Sequence, residues 1–195
     1  MTRQKNWNIP NLITIFRILL TLGFVFVYLD HNFFWAWILF LVAGFSDALD
    51  GFLARILNQR TSLGAMLDPL ADKFLIITSF LCLAIQGLIP SWLALLVILR
   101  DTIIVGGLFF LKSYGVDVQK KINPLIISKL TTALQLLLIF SVLSRLSFAL
   151  DFFEVEFVLE WATALFTFVS GVVYIKQGFA MFFAKKQECK NPGSH

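Results

Sequence analysis

Long apolar runs separated by short polar breaks dominate the chain. Each run is close to or above the ~20 residues that a helix needs to cross the hydrocarbon core of a bilayer. The pattern predicts six transmembrane helices at 12–29, 33–56, 65–87, 91–112, 124–144 and 155–182. The sixth run is long enough to tilt or to continue beyond the membrane as a helix. We therefore expect an all-α integral membrane protein.

The composition agrees with this class. Hydrophobic residues make up 58% of the chain and charged residues 14%, whereas soluble domains average about 45–50% and about 25%. A single transmembrane domain is expected at 1–190, followed by a solvated tail at 191–195. The net charge of +4 does not indicate nucleic acid, because scattered Lys and Arg in a membrane protein fix topology and contact anionic headgroups. Membrane lipids are the expected partners.

The basic residues fall mainly on one side of the predicted spans. Six spans place both termini on the same side, and Arg145 is the basic residue expected in the loops opposite. The basic residues expected on the side of the termini are Arg3, Lys5, Arg55, Arg60, Lys112, Lys120, Lys121, Lys185, Lys186 and Lys190. Because Lys and Arg concentrate in cytoplasmic loops, we expect both termini in the cytoplasm, with the protein in a bacterial inner membrane.

Four aspartates interrupt the apolar pattern at the cytoplasmic ends of the second and third runs. A carboxylate at the centre of a bilayer costs about 3 kcal/mol on insertion scales. Asp47 and Asp50 are three residues apart, and Asp68 and Asp72 are four apart, so each pair shares a helix face. Carboxylates without His or Cys suit Mg²⁺ or Mn²⁺, and two such ions can stabilise an in-line displacement on a diphosphate. The residues predict a polar cavity, facing the cytoplasm, for phosphate chemistry.

Two other interpretations remain open from the residues alone. The aspartates could pair with Arg55, Lys73 or Arg100 and hold helices together. They could also line the pathway of a cation or proton transporter, which needs intramembrane carboxylates as well. Four carboxylates at two helical spacings, beside small residues, favour metal binding over ion pairing. The absence of a second acidic set towards the other membrane face disfavours transport.

The spacing of residues 47–72 carries a resemblance. The segment reads D-x2-D-G-x2-A-R-x8-G-x3-D-x3-D and is similar at every fixed position to the signature of the CDP-alcohol phosphatidyltransferase family. The segment from Pro10 to Arg17 also resembles the opening helix of that family. The resemblance implies six transmembrane helices, usually paired as a homodimer. It also implies transfer of a phosphatidyl group from CDP-diacylglycerol to an alcohol, with release of CMP.

The resemblance further implies roles for the fixed positions. Asp47, Asp50 and Asp68 would be ligands of Mg²⁺ or Mn²⁺, with two ions expected. Asp72 would complete the metal site and act as the general base for the acceptor hydroxyl. The remaining fixed positions would line the pocket for cytidine diphosphate: Gly51, Ala54, Arg55 and Gly64.

Two subfamilies fit the rest of the chain. Phosphatidylglycerophosphate synthases carry an Arg-Glu pair in the fourth span and a second Arg two turns later, suited to glycerol 3-phosphate. Here the pair is Arg100-Asp101, and Leu108 stands at the second position. The segments 128–135 and 171–178 resemble CMP-forming cardiolipin synthases, whose acceptor is phosphatidylglycerol. We favour the cardiolipin synthases, with phosphatidylglycerol as the acceptor. Glycerol 3-phosphate is the alternative acceptor, and inositol- or serine-type acceptors are less favoured than either.

Three cations are the candidates for binding the acceptor: Arg100, Lys129 and Arg17. An ion pair between helices, with Asp101 as the partner of Arg100, is the alternative for the cations in the membrane. Arg17 either faces the same cavity or extends to the cytoplasmic interface, as long basic side chains near helix ends do.

Overall fold

The computed structural model describes residues 9–57, 64–113, 126–149 and 153–190, with side chains described for 15–46, 73–107, 126–149 and 153–178. In these ranges all regular secondary structure is α-helical. The helices are α1 (Ile9–Leu29), α2 (Phe33–Leu57), α3 (Gly64–Ile85), α4 (Ser91–Ser113), α5 (Ile126–Phe148) and α6 (Phe153–Lys190). Each predicted run corresponds to one of these helices, so the all-α class is confirmed.

Most helix ends differ from the prediction by one to three residues, and the largest differences are at the C-terminal ends of α5 and α6. Helix α5 continues to Phe148, and α6 begins at Phe153 and runs for 38 residues. Glu154 and Glu156 lie in the first turn of α6, which begins two residues before the predicted span. Acidic residues stabilise a helix N-terminus because the helix dipole is positive there, and an apolar pattern does not contain that information.

Membrane-spanning length and composition can be assessed for the described residues. Among them, two helical stretches are long and apolar enough to cross a bilayer, Ile126–Phe148 and Phe153–Gly178. Shorter apolar stretches occur in the first three helices, at Ile15–Leu29, Phe33–Ser46 and Lys73–Ile85. The full set of six spans remains a prediction.

Tight connections follow α1 and α3. His31 has a φ of 59° and Gly87 a φ of 70°, so both residues adopt the left-handed conformation that ends many helices. The amide of Asn32 donates to the Val27 carbonyl, and the amide of Leu88 donates to that of Leu83. These hydrogen bonds complete Schellman motifs, which reverse the chain in few residues and make α2 antiparallel to α1.

The chain divides into two compact units, and the first comprises residues 1–90 and 139–156. In this unit α1 packs against both α2 and α3. The aromatic rings of Phe24 and Phe40 are buried, with centroids 6.3 Å apart. Tyr28, also buried, donates its hydroxyl to Oε1 of Gln86 at 2.9 Å. The core of this unit therefore lies between the helices that carry the aspartate motif.

The second unit comprises residues 91–138 and 157–195. It contains α4 and most of α5 and α6, and its buried face includes polar as well as apolar side chains. Thr131 donates to the carbonyl of Phe166 at 3.2 Å, and Nε2 of Gln135 donates to the Thr167 hydroxyl at 3.4 Å. These contacts tie α5 to α6 through hydrogen bonds within an apolar surrounding. The single domain expected at 1–190 remains a prediction.

Candidate active site

Helices α2 and α3 carry the aspartate motif in the first unit. Asp47 and Asp50 lie in the second half of α2, and Asp68 and Asp72 lie in the first half of α3. The other motif positions lie in the same two helices: Gly51, Ala54 and Arg55 in α2, with Gly64 as the first residue of α3. The side chains of 47–72 lie outside the described residues, and the described side chains contain no metal-ligand group of three. The metal and nucleotide roles therefore stay predictions.

The buried stripe of α2 leads directly to the first aspartate pair. Ala36, Phe40 and Ala43 are buried at helical spacings of four and three residues. Continuing the same alternation along the helix reaches Asp47 and then Asp50. Because residues three and four apart share a helix face, the face that packs in the core of the first unit is the one on which these aspartates fall.

Helix α3 shows the same relation to the second pair. Ile76, Ser79 and Leu83 are buried along one face of α3, while Ile85 is 80% exposed. Moving back from Ile76 by four residues reaches Asp72, and four more reach Asp68. Positions 47, 50, 68 and 72 thus continue the helical spacing of the buried stripes of α2 and α3, and convergence of their side chains on a metal site remains a prediction.

Arg17 lies in the interior of the first unit. Its side chain is only 1% exposed, and the hydroxyl of Thr21, one turn later, donates to the Arg17 carbonyl at 2.9 Å. A side chain extended to the membrane interface would be solvent-accessible, so the burial excludes that alternative for Arg17. Arg17 is thus buried on α1, the helix that packs against both helices that carry the motif.

Arg100 is the centre of a polar cluster in the second unit. Its Nη1 donates to Oδ1 of Asp101 at 2.6 Å, and its Nη2 donates to the hydroxyls of Ser128 at 2.8 Å and Ser170 at 2.7 Å. The guanidinium carbon lies 5.8 Å from the ring centroid of Tyr174, within the range of a cation–π contact. Residue 100 is 3% exposed. Four partners from three helices fix this guanidinium in place.

The ion pair of Arg100 differs from the alternative derived from the sequence. Arg100 and Asp101 are neighbours within α4, so their pair does not join two helices. The links to α5 and α6 are instead made by the hydroxyls of Ser128 and Ser170. Among its described contacts Arg100 is therefore bound to Asp101 and not to an aspartate of the motif.

Lys129 does not join the Arg100 cluster. It follows Ser128 directly, and adjacent helical residues point in different directions. The side chain of Lys129 is exposed, whereas Arg100 is buried. The described contacts therefore do not bring these two candidate cations together, and the acceptor-binding role of each remains a prediction.

The sequence interpretation missed the hydroxyl partners of Arg100, although a signal for them exists. Polar residues recur along one face of α6 at spacings of four and three: Thr163, Thr167, Ser170, Tyr174 and Gln177. The first three are completely buried. A polar stripe on an otherwise apolar helix indicates hydrogen bonds to neighbouring helices, and it would have placed Ser170 beside a buried cation.

Comparison with known proteins bears on the same residues. The sequence model described as CDP-alcohol phosphatidyltransferase matches residues 7–169, a range that includes the aspartate motif, Arg17, Arg100 and Lys129. The chain belongs to this family. Members of the family generally use divalent metals, which agrees with the chemistry of the aspartate motif.

Individual relatives within the family carry two different names. The human cardiolipin synthase (CMP-forming) is 36% identical over 70% of this chain and 50% of its own length. The CDP-diacylglycerol–glycerol-3-phosphate 3-phosphatidyltransferase of Aquifex aeolicus is 35% identical over 90% of this chain and 98% of its own length. The chain thus spans about half the length of the human relative and nearly all of the Aquifex one. Since the identities are almost equal, they do not separate the two acceptors.

Proposed function

We propose that this protein transfers a phosphatidyl group from CDP-diacylglycerol to an alcohol in phospholipid synthesis and releases CMP. The observation that carries the proposal is the complete family motif, which lies in α2 and α3. Every fixed position of the motif is present between residues 47 and 72, and the family match covers it. Family membership also disfavours the transporter interpretation, because phosphatidyl transfer accounts for the clustered carboxylates without an ion pathway.

The aspartate set fits a site for two divalent ions. Asp47, Asp50 and Asp68 would supply hard oxygen ligands from two antiparallel helices, with Asp72 completing the set. Bound Mg²⁺ or Mn²⁺ would neutralise the diphosphate and stabilise both the attacking and leaving oxygens. The small residues Gly51, Ala54 and Gly64, with Arg55, would leave room for cytidine diphosphate close to the backbone.

The chain's own residues would perform the transfer as follows. The carboxylate of Asp72 accepts the proton of the acceptor hydroxyl as the oxygen of that hydroxyl bonds to the β-phosphorus. The bond from the β-phosphorus to the bridging oxygen breaks, and CMP leaves with that oxygen. General-base assistance of this kind contributes typically ~10²–10⁴-fold to the rate.

The geometry of Arg100 favours phosphatidylglycerol as the acceptor and cardiolipin as the product. The carboxylate of Asp101 already compensates the positive charge of Arg100 at 2.6 Å, so this pair is poorly suited to a phosphomonoester dianion. The phosphodiester of phosphatidylglycerol carries one negative charge and therefore needs fewer positively charged partners. At Leu108, whose side chain lies outside the described residues, the sequence provides no second arginine. Glycerol 3-phosphate remains the alternative, named in the Aquifex relative.

We also propose the membrane location, the topology and the oligomeric state of the protein. We place the protein in a bacterial inner membrane with six spans, both termini and the active site on the cytoplasmic side, and two copies forming a homodimer. The basic residues expected on the side of the termini support the orientation. Membrane lipids and the lipid substrates are the proposed partners.

Product analysis of the purified protein tests the reaction and the acceptor together. CDP-diacylglycerol is supplied with phosphatidylglycerol, glycerol 3-phosphate, inositol or serine, and both CMP release and lipid products are measured with Mg²⁺, with Mn²⁺ and with EDTA. We expect cardiolipin and CMP from phosphatidylglycerol, no turnover in EDTA, and greater use of glycerol 3-phosphate by Leu108→Arg. Phosphatidylglycerophosphate without cardiolipin would reverse the choice of acceptor.

Asparagine variants test whether activity depends on the aspartates of the motif and not on an aspartate elsewhere in the chain. Asp47→Asn, Asp50→Asn and Asp68→Asn should each abolish CMP release while the protein still inserts into membranes. Asp30→Asn is the matched control, since Asp30 is an exposed residue in the connection between α1 and α2 and should keep normal activity. Full activity of Asp68→Asn, or of the unmodified protein in EDTA, would refute the metal assignment.

A further inference from the structure

The burial of Arg17 calls for a nearby negative charge. Its side chain is among the largest fully buried ones and shares a face of α1 with Thr21, Phe24 and Tyr28, all of them completely buried. A charged group removed from solvent is destabilising unless an opposite charge and hydrogen bonds compensate it. The compensating group should lie where α1 packs, which is against α2 and α3.

The contact between Phe24 and Phe40 gives the register of α1 against α2. The two helices are antiparallel, and these rings lie 6.3 Å apart. Arg17 precedes Phe24 by seven residues, and Asp47 follows Phe40 by seven. Seven residues advance a helix by about 10.5 Å and nearly two full turns. Arg17 and Asp47 are therefore at the same level, on the faces that carry the two rings.

The register of α1 against α3 leads to the same region. Tyr28 donates its hydroxyl to Gln86, which lies fourteen residues beyond Asp72, while Arg17 lies eleven residues before Tyr28. Helices α1 and α3 pack against each other, and their C-terminal ends meet at the Tyr28–Gln86 hydrogen bond, so they run in the same direction. The difference of three residues corresponds to about 4.5 Å along the helix. Asp72 is thus within one turn of the level of Arg17.

We propose that Arg17 is a positioning residue that provides the counter-charge of the aspartate motif, at the level of position 47 where α1 packs against α2. The proposal rests on the metal site of the proposed function. When metal ions are absent, four neighbouring carboxylates repel one another, and the guanidinium offsets part of this repulsion. When metal ions bind, its like charge weakens their binding. Arg17 therefore acts on the substrate through the aspartates and does not contact the acceptor.

Metal binding and thermal stability of the purified protein test this role. Arg17→Gln should lower the melting temperature in EDTA and increase the rise in melting temperature that Mn²⁺ produces. Free Mn²⁺ measured by electron paramagnetic resonance should show binding at least about tenfold tighter, because a nearby positive charge has been removed. Arg17→Lys keeps the charge and should bind Mn²⁺ within about twofold of the unmodified protein.

Arg145→Gln is the matched control, because it breaks an ion pair of the same unit that involves no motif residue. It should lower the melting temperature equally in EDTA and in Mn²⁺. If Arg17→Gln behaves like Arg145→Gln, or changes only the KM of the acceptor, the proposal is wrong. Failure of the unmodified protein to bind Mn²⁺ would instead refute the metal site itself.

A double variant keeps the test decisive if Arg17→Gln is too unstable to purify. Adding Asp47→Asn removes the carboxylate that Arg17 is proposed to compensate. The double variant should therefore be more stable in EDTA than Arg17→Gln, as judged by yield of folded protein and melting temperature. Equal or lower stability would show that removing the charge of Asp47 does not compensate for the loss of Arg17, which would contradict the proposal.

Discussion

A buried guanidinium has five N–H donors, and in Arg100 the donors on Nη1 and Nη2 are bound while Nε has no hydrogen-bond partner among the described residues. One carboxylate compensates part of the charge, two hydroxyls accept from Nη2, and the Tyr174 ring lies 5.8 Å from the guanidinium carbon. Gly171 adjoins this side chain as well: a methyl group at its α-carbon would lie 3.7 Å from Cγ of Arg100. The orientation of Arg100 is therefore set by three helices before any substrate binds.

Among the motif aspartates, Asp72 is proposed to act as the general base as well as to complete the metal site. A general base must come within hydrogen-bond reach of the hydroxyl it deprotonates. Asp72→Asn should therefore reduce CMP release by about 10²-fold or more, while CDP-diacylglycerol and Mn²⁺ still bind. Single-turnover CMP release and equilibrium binding of the nucleotide lipid measure the two effects separately.

The comparison with Asp68→Asn interprets the Asp72 result. Asp68 is proposed as a ligand only, so its asparagine variant should lose metal and nucleotide binding together. If Asp72→Asn loses nucleotide binding to the same extent, Asp72 is a ligand first and the assignment of a base at this position fails.

At the level of elements, the hairpin of α5 and α6 is closed by one charged pair. Nε of Arg145 donates to Oε1 and Oε2 of Glu156, at 2.8 and 2.9 Å. Glu156 is 4% exposed, so its carboxylate depends on this partner. The nearby hydroxyl of Ser147 donates to the carbonyls of Phe33 and Leu143, which ties the end of α5 to the start of α2.

Removing the buried carboxylate should destabilise this hairpin. Glu156→Gln replaces a charge-assisted interaction by a weaker neutral one, and we expect a loss of about 1.5–3 kcal/mol in the free energy of unfolding. Glu154→Gln is the control, because Glu154 lies in the same first helical turn but is exposed. Denaturant unfolding in detergent measures both; losses of equal size would mean that the pair with Arg145 contributes little.

For the whole molecule, the decisive question is which side of the membrane each end occupies. We propose that Asp30 lies outside and that residue 189 lies in the cytoplasm with both termini. With Cys82 and Cys189 replaced by alanine, Asp30→Cys should react with a membrane-impermeant maleimide added to intact cells. A variant in which Cys189 is the only cysteine should react with the maleimide in inverted vesicles but not in intact cells. Labelling of both positions from the same side would contradict an arrangement with six spans.

The sequence by itself determined the helical class, the approximate positions of six helices and the family. These properties are local: apolar length selects membrane-compatible helices, and the spacing of eight motif residues between 47 and 72 identifies the family without reference to distant contacts. The same locality explains the errors at α5 and α6, where Glu154 and Glu156 appear polar but begin a helix.

Only the tertiary structure decided which partners the buried cations have. Hydrophobic periodicity shows that a residue is on an inward face, but the neighbour it meets depends on the register of helices far apart in sequence. Ser128 and Ser170 reach Arg100 because α5 and α6 pack beside α4 at particular heights. Arg17 likewise proved buried because α1 packs on two helices at once. Such registers result from the packing of many side chains together, and no single segment of the sequence contains them.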